Sequence, residues 1–212
     1  MNLPRIHLAI LLLAATAHAQ TLQPHPQQTP PTTPTKTFHD PTYKVSFDYP
    51  ATWNFSTTDG DLSTFHLDAR TAPRKAQLRV VTAMPENPYP ASTFSGAYLY
   101  LSVTPNTSAA ACAHQAAPLP GSTKKPAPKP THTTINDIPF THGHNETKAI
   151  CITQRDEVYT TRHAGACYRV DLAINNFCGG SVSSVKYISS TELDQVRTHL
   201  ESILNTIHFD PQ

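Results

Sequence analysis

Tyr43, Val45, Phe47 and Tyr49 alternate with Lys44, Ser46 and Asp48, the period-two pattern of a strand with one buried face. Pro50 ends that run. Trp53 and Phe55 resume the alternation, which predicts a tight corner and a second strand before the turn residues Thr58, Asp59, Gly60 and Asp61. Phe65 and Leu67 predict a third short strand, and residues 78–84, apolar on both sides, a fourth that lies centrally in a sheet. Pro85, Pro88 and Pro90 mark a loop over residues 84–91. Residues 97–103 read as strand again. The alanine-rich stretch 108–117 predicts a short helix carrying Cys112, with Thr107 or Asn106 as its cap.

Residues 138–144 resume strand character, and 157–163 with 166–174 predict the clearest hairpin, turning at Ala164 and Gly165. Tyr168, Val170, Leu172 and Ile174 form its inward face. Gly179 and Gly180 loosen the chain after Cys178, and residues 182–188 add a strand or a loop. Ser189 and Glu192 then fit a capping box, with Ile188 and Leu193 as the matching hydrophobic staple. Leu193, Val196, Leu200, Ile203, Leu204 and Ile207 recur at three- and four-residue steps, an amphipathic helix of about four turns. Its apolar stripe must cover something. Antiparallel strands with a terminal helix packed on them indicate an α+β domain.

Three segments carry no such pattern. Arg5 precedes a mostly apolar run over residues 6–15, and Ala17, His18 and Ala19 give the small-x-small pattern of a signal-peptidase site. The run is about ten residues, too short to span a membrane. Residues 1–19 are therefore expected to be a cleaved signal peptide, with the mature chain starting at Gln20. The first cysteine is Cys112, too late for a lipid anchor. Export to the periplasm or the medium is expected, with no membrane insertion after cleavage. Residues 20–37 contain Pro24, Pro26, Pro30, Pro31 and Pro34 with almost nothing to bury, and read as a proline- and threonine-rich linker. Residues 118–134 repeat that chemistry with five prolines and three lysines and read as an exposed insertion. One domain is left, over 38–212.

At the head of that domain, the run from Tyr43 through Phe47, Tyr49 and Pro50 to Trp53 resembles the opening of PsbP-like domains, the family of an extrinsic subunit of photosystem II. The shared pattern is an aromatic strand followed by Y/F-P-x-x-W. Residues 193–207, followed by His208 and Phe209, resemble the family's closing helix and short strand, so the resemblance spans residues 40–210. It implies an α/β/α sandwich with a mostly antiparallel sheet and a C-terminal amphipathic helix. It also implies a secreted bacterial module of unknown function that binds or docks and is not itself an enzyme. The four cysteines and the insertion depart from the plant proteins, and no metal or photosystem contact of the family has a counterpart here.

Composition narrows the function classes. Charged residues make up 15% of the chain, against about 25% in an average soluble protein. Once Arg5 leaves with the signal, 15 basic residues face 15 acidic ones, so no field steers nucleic acid or an anionic membrane. Cys112, Cys151, Cys167 and Cys178 are an even set in an exported chain, which favours two disulfides in one of three connectivities. If residues 168–174 form one strand, its ends lie about 20 Å apart, and Cys167–Cys178 is the least favoured pair. No C-x-x-C spacing supports zinc at the cysteines.

No phosphate-binding glycine loop, G-x-S-x-G elbow, H-E-x-x-H or S-x-x-K set occurs. The sharpest constellation is His142, His144 and Glu146, which alternation points to one strand face. His142 and Glu146 would stand about 13 Å apart, so one adjacent pair at most shares an ion, with His66, His163 or Asp171 completing the site. The competing reading is a polar, solvent-facing strand end. Cys178 beside Gly179 and Gly180, with His163 as base, would make a thiol nucleophile only if that cysteine were free. Asp156 and Glu157 point to opposite faces of a strand and read as a solvated turn. Tyr98 and Tyr100 share a face, as a ligand platform or as packing. Asn106 and Asn145 head glycosylation acceptor triplets. The expected function is an exported, non-enzymatic binding or assembly module. Its partner would be a protein or small molecule of the envelope or medium, and no cofactor is expected. The alternative is a metal-dependent exported hydrolase with a divalent ion on His142 and His144.

Overall fold

The computed structural model describes residues 34–67, 70, 72–117, 129–149, 151–179 and 184–211. The signal-peptide reading, most of the linker and residues 118–128 of the insertion fall outside them. Ten strands and two helices are formed by the described residues, in the order β1 (Thr35–Asp40), β2 (Val45–Pro50), β3 (Asn54–Ser56), β4 (Gln77–Ala83), β5 (Phe94–Thr104), α1 (Ala109–His114), β6 (Thr131–Ile135), β7 (Ile138–Ala149), β8 (Ile152–His163), β9 (Ala166–Phe177), α2 (Ser190–Leu204) and β10 (His208–Phe209). Seven strands form one antiparallel sheet in the order β3-β4-β5-β9-β8-β7-β6, and β1, β2 and β10 form a smaller one. The fold is α+β.

The aromatic alternation of β2 builds the core's first wall. Val45 and Phe47 are fully buried, with Tyr49 nearly so. They meet Leu99, Leu101 and Val103 of β5, Tyr168, Val170, Leu172 and Ile174 of β9, and Val196, Leu200, Ile203 and Leu204 of α2. Full burial of each such side chain stabilises by roughly 1.5–3 kcal/mol, so α2 is held mainly by its stripe. Its start is set by Ser189, whose side chain accepts from the Glu192 amide while Glu192 accepts from the Ser189 amide, the reciprocal box that the sequence predicts.

Four expectations are corrected. The linker reading ends at residue 37, yet Thr35–Asp40 is strand, because Phe38 pairs with Phe47 and packs its ring, tilted, 5.3 Å away. The insertion reading ran to residue 134, yet Thr131–Ile135 pairs with β7. In both places proline-rich composition outweighed the β-favouring threonines beside it. No strand forms at Phe65 and Leu67; the segment turns instead, with the Arg70 and Ala72 amides donating to the His66 and Leu67 carbonyls. Phe65 is nonetheless buried. The α1 cap is Ser108, one residue beyond the expected ones.

The second face of β9 is buried as well, at Cys167, Arg169, Asp171 and Ala173. The Cys112–Cys167 disulfide pins α1 to this side. Gly143 of β7 lets the chain after α1 settle there, since a Cβ at that position would collide with the Ala116 carbonyl. The second disulfide, Cys151–Cys178, ties the β7–β8 turn to the end of β9. The disfavoured Cys167–Cys178 pair is not formed. Among the described residues no helix is long and apolar enough to cross a membrane.

Candidate functional site

Pairing of β7 with β8 sets four side-chain pairs in a row on one face: His142 with Tyr159, His144 with Glu157, Glu146 with Arg155, and Lys148 with Thr153. Glu157 accepts from Nε2 of His142 at 2.8 Å and from Nδ1 of His144 at 3.1 Å. The His142 ring stacks on Tyr159 with centroids 4.4 Å apart, and Arg197 of α2 stands 3.9 Å from the same carboxylate. Burial pushes the Glu157 pKa up, but the two imidazole hydrogen bonds outweigh it and bring it down to about 2. His144 is raised in turn, first by its hydrogen bond to Glu157.

The structure thus brings His142 and His144 together on Glu157, which the sequence reading places in a solvated turn. Glu146 goes elsewhere, to Lys148 at 2.9 Å and Arg155 at 3.2 Å. The other donors considered have different neighbours: His66 lies 3.6 Å from Asp59, His163 stacks on Phe209, and Asp171 joins Arg169. Among the described residues no group of three histidine, cysteine or acidic side chains is placed to hold a metal ion. Cys178 is bonded to Cys151, so the thiol-nucleophile reading fails.

Asp156 gives the largest surprise. It sits in the middle of β8 and is fully buried, which corrects the solvated-turn reading. It opens onto a polar layer on the second sheet face. There Arg169 Nε donates to both oxygens of Asp171 at 2.9 and 3.1 Å, and the Arg70 guanidinium lies 3.4 Å from the centre of the Tyr100 ring and 4.0 Å from Asp171. Tyr98 stacks beside Tyr100 at 5.9 Å, so this pair packs against the layer. Burial, then the Asp171 charge, raise the Asp156 pKa to about 7. Charged residues at positions 169 and 171 within the apolar run 166–174 are the available sign that the second face of β9 is covered.

A third feature was missed altogether. Tyr49 and Pro50 at the end of β2, Trp53 just after it, Met84 after β4, and His199, Ser202 and Ile203 of α2 enclose a cleft of about 390 Å³. Sequence alternation places its aromatic residues on strand faces, because one strand's pattern does not show the gap that a neighbouring helix leaves.

No protein-family description matches the chain, and no curated protein matches it significantly. Solved structures do match. One is the solution structure of cyanobacterial PsbP (CyanoP) from Synechocystis sp. PCC 6803, at 10% identity and a TM-score of 0.45, covering 86% of this chain and 96% of that one. The chain is similar in structure to a PsbP protein. A crystal structure from Bacteroides thetaiotaomicron VPI-5482 matches at 12% identity and a TM-score of 0.44 over 84% of this chain. The chain spans about half the length of that second protein, 49% of it.

Proposed function

We propose that this chain is an exported, disulfide-braced binding module without catalytic machinery of its own, which takes a small and largely apolar ligand in the cleft between β2 and α2. In this reading the helices lie on opposite faces of the large sheet, as an α/β/α sandwich, and α2 forms one lip of the site. The supporting observation is the cleft itself. Its volume of about 390 Å³ falls in the range of small-molecule sites, about 300–1,000 Å³. Trp53, Tyr49, Met84 and Ile203 supply its apolar wall, and His199, Ser202 and Asp48 its polar groups.

Trp53 is the single tryptophan of the chain, so the site reports on itself. Titration with 1-anilinonaphthalene-8-sulfonate is expected to quench Trp53 emission saturably, with one probe per chain and a raised thermal midpoint. Ser202→Trp, which fills the cleft from exposed helix surface, is expected to block the probe. Unchanged binding by that variant, or no binding to the native protein, would remove the proposal.

A second reading, a metal-dependent exported hydrolase, draws on the convergence of His142 and His144 on Glu157. An ion there would replace both hydrogen bonds. Stoichiometric zinc retained through dialysis, and lost with His142→Ala and His144→Ala, is its test; a metal-free native protein ends it.

A further inference from the structure

Below the histidine row the same sheet face carries a second cleft, of about 360 Å³. Its floor is a straight cross-strand line: Lys148 of β7 faces Thr153 of β8, and Thr153 faces Asn176 of β9. Arg155 stands two residues along β8 on the same face. The roof is the segment leading into α2, which carries Tyr187. It is held by the Thr93 amide donating to the Lys186 carbonyl at 2.8 Å and by the Ile188 amide donating to the Thr93 hydroxyl at 3.1 Å.

Three properties of this cleft specify a ligand. First, Lys148 and Arg155 share the one carboxylate of Glu146, at 2.9 and 3.2 Å, and no acidic side chain lines the cleft among its described residues. One positive charge is left over, and it favours an anion, above all a carboxylate in reach of a guanidinium. Second, Tyr187 is 77% exposed, the most exposed large aromatic side chain among the described residues. Such a ring at the lip of a cleft offers a flat apolar face. Third, Asn176 is only 9% exposed and lines the cleft, with Thr153 facing it from the neighbouring strand. A side-chain amide beside a hydroxyl offers paired hydrogen bonds to a ligand hydroxyl.

We propose that this cleft binds an acidic sugar, with a pyranose ring against Tyr187, its carboxylate at Arg155 and Lys148, and a hydroxyl on Asn176. A plain aromatic acid meets the first two demands and leaves the Asn176 amide and the Thr153 hydroxyl unused. A neutral sugar meets the last two and leaves the charge. The site is separate from the Trp53 cleft and does not depend on it.

The test is calorimetric titration of the purified mature protein with three probes: trigalacturonate, maltotriose and benzoate. Trigalacturonate is expected to bind and the other two not to. Its affinity is expected to fall as salt rises, and by about tenfold for each of Tyr187→Ala and Arg155→Gln, the loss of one good contact. Both positions are exposed, so an unchanged thermal midpoint verifies that the variants fold. No binding of trigalacturonate at millimolar concentration overturns the proposal, as does binding that neither variant weakens. Benzoate binding as well as trigalacturonate overturns the sugar assignment, and maltotriose binding equally well overturns the charge requirement.

Discussion

Asp156 and Glu157 are neighbours in the chain with opposite titration behaviour, because alternation sends one into the polar layer and the other onto the histidine row. Burial raises Asp156 to about 7. Its carboxyl therefore holds a proton more tightly in the folded chain than in the unfolded one, and the resulting stability is present below about pH 4 and lost as pH rises towards 7. Glu157, brought down to about 2 by its imidazole partners, acts in the other direction: its contribution is present above the ordinary glutamate value and lost as pH falls through the folded one. We expect Asp156→Asn to abolish the decline in thermal midpoint between pH 4 and 7 while leaving the acid limb in place. Calorimetric scans across that range check it, and a variant that keeps the same decline would show that Asp156 is not its source.

At the scale of elements the two disulfides are unlike. Cys112 and Cys167 are 2% and 0% exposed, between α1 and β9, whereas Cys151 and Cys178 are exposed and line the cleft beneath Tyr187. Access controls thiol–disulfide exchange. Brief treatment with a mild reductant is expected to open Cys151–Cys178 and spare Cys112–Cys167, with alkylation and peptide mapping as the readout. Equal labelling of all four cysteines would contradict it. The elements themselves were unevenly legible. The periodicity of α2, its capping box and the Ala164–Gly165 turn stand in the sequence, because each depends on residues within one or two turns of one another. β1, β6 and the extensions of β7 and β8 do not, because polar strands such as the run from Thr131 to Thr134 are chosen by the partner they pair with.

At the scale of the molecule the same division holds for the candidate sites. His142 and His144 announced themselves through spacing on one strand, but their shared partner comes from another strand through a register the pattern does not contain. Arg70 reaches Tyr100 and Asp171 from a loop, and the Trp53 cleft exists only between a sheet and a helix. The disulfides are assembled in the same non-local way. In chain order the first cysteine is joined to the third and the second to the fourth, so the two covalent loops overlap. Oxidation in order of emergence would instead join neighbours, Cys112 to Cys151 and Cys167 to Cys178, and would stretch the latter pair across the whole of β9. A Cys167–Cys178 bond is incompatible with β9 as one extended strand, whereas both native bonds fit it. In the folded chain each cross-link joins segments that the sheet also holds together, so breaking one bond leaves the strand pairing to keep its ends near each other.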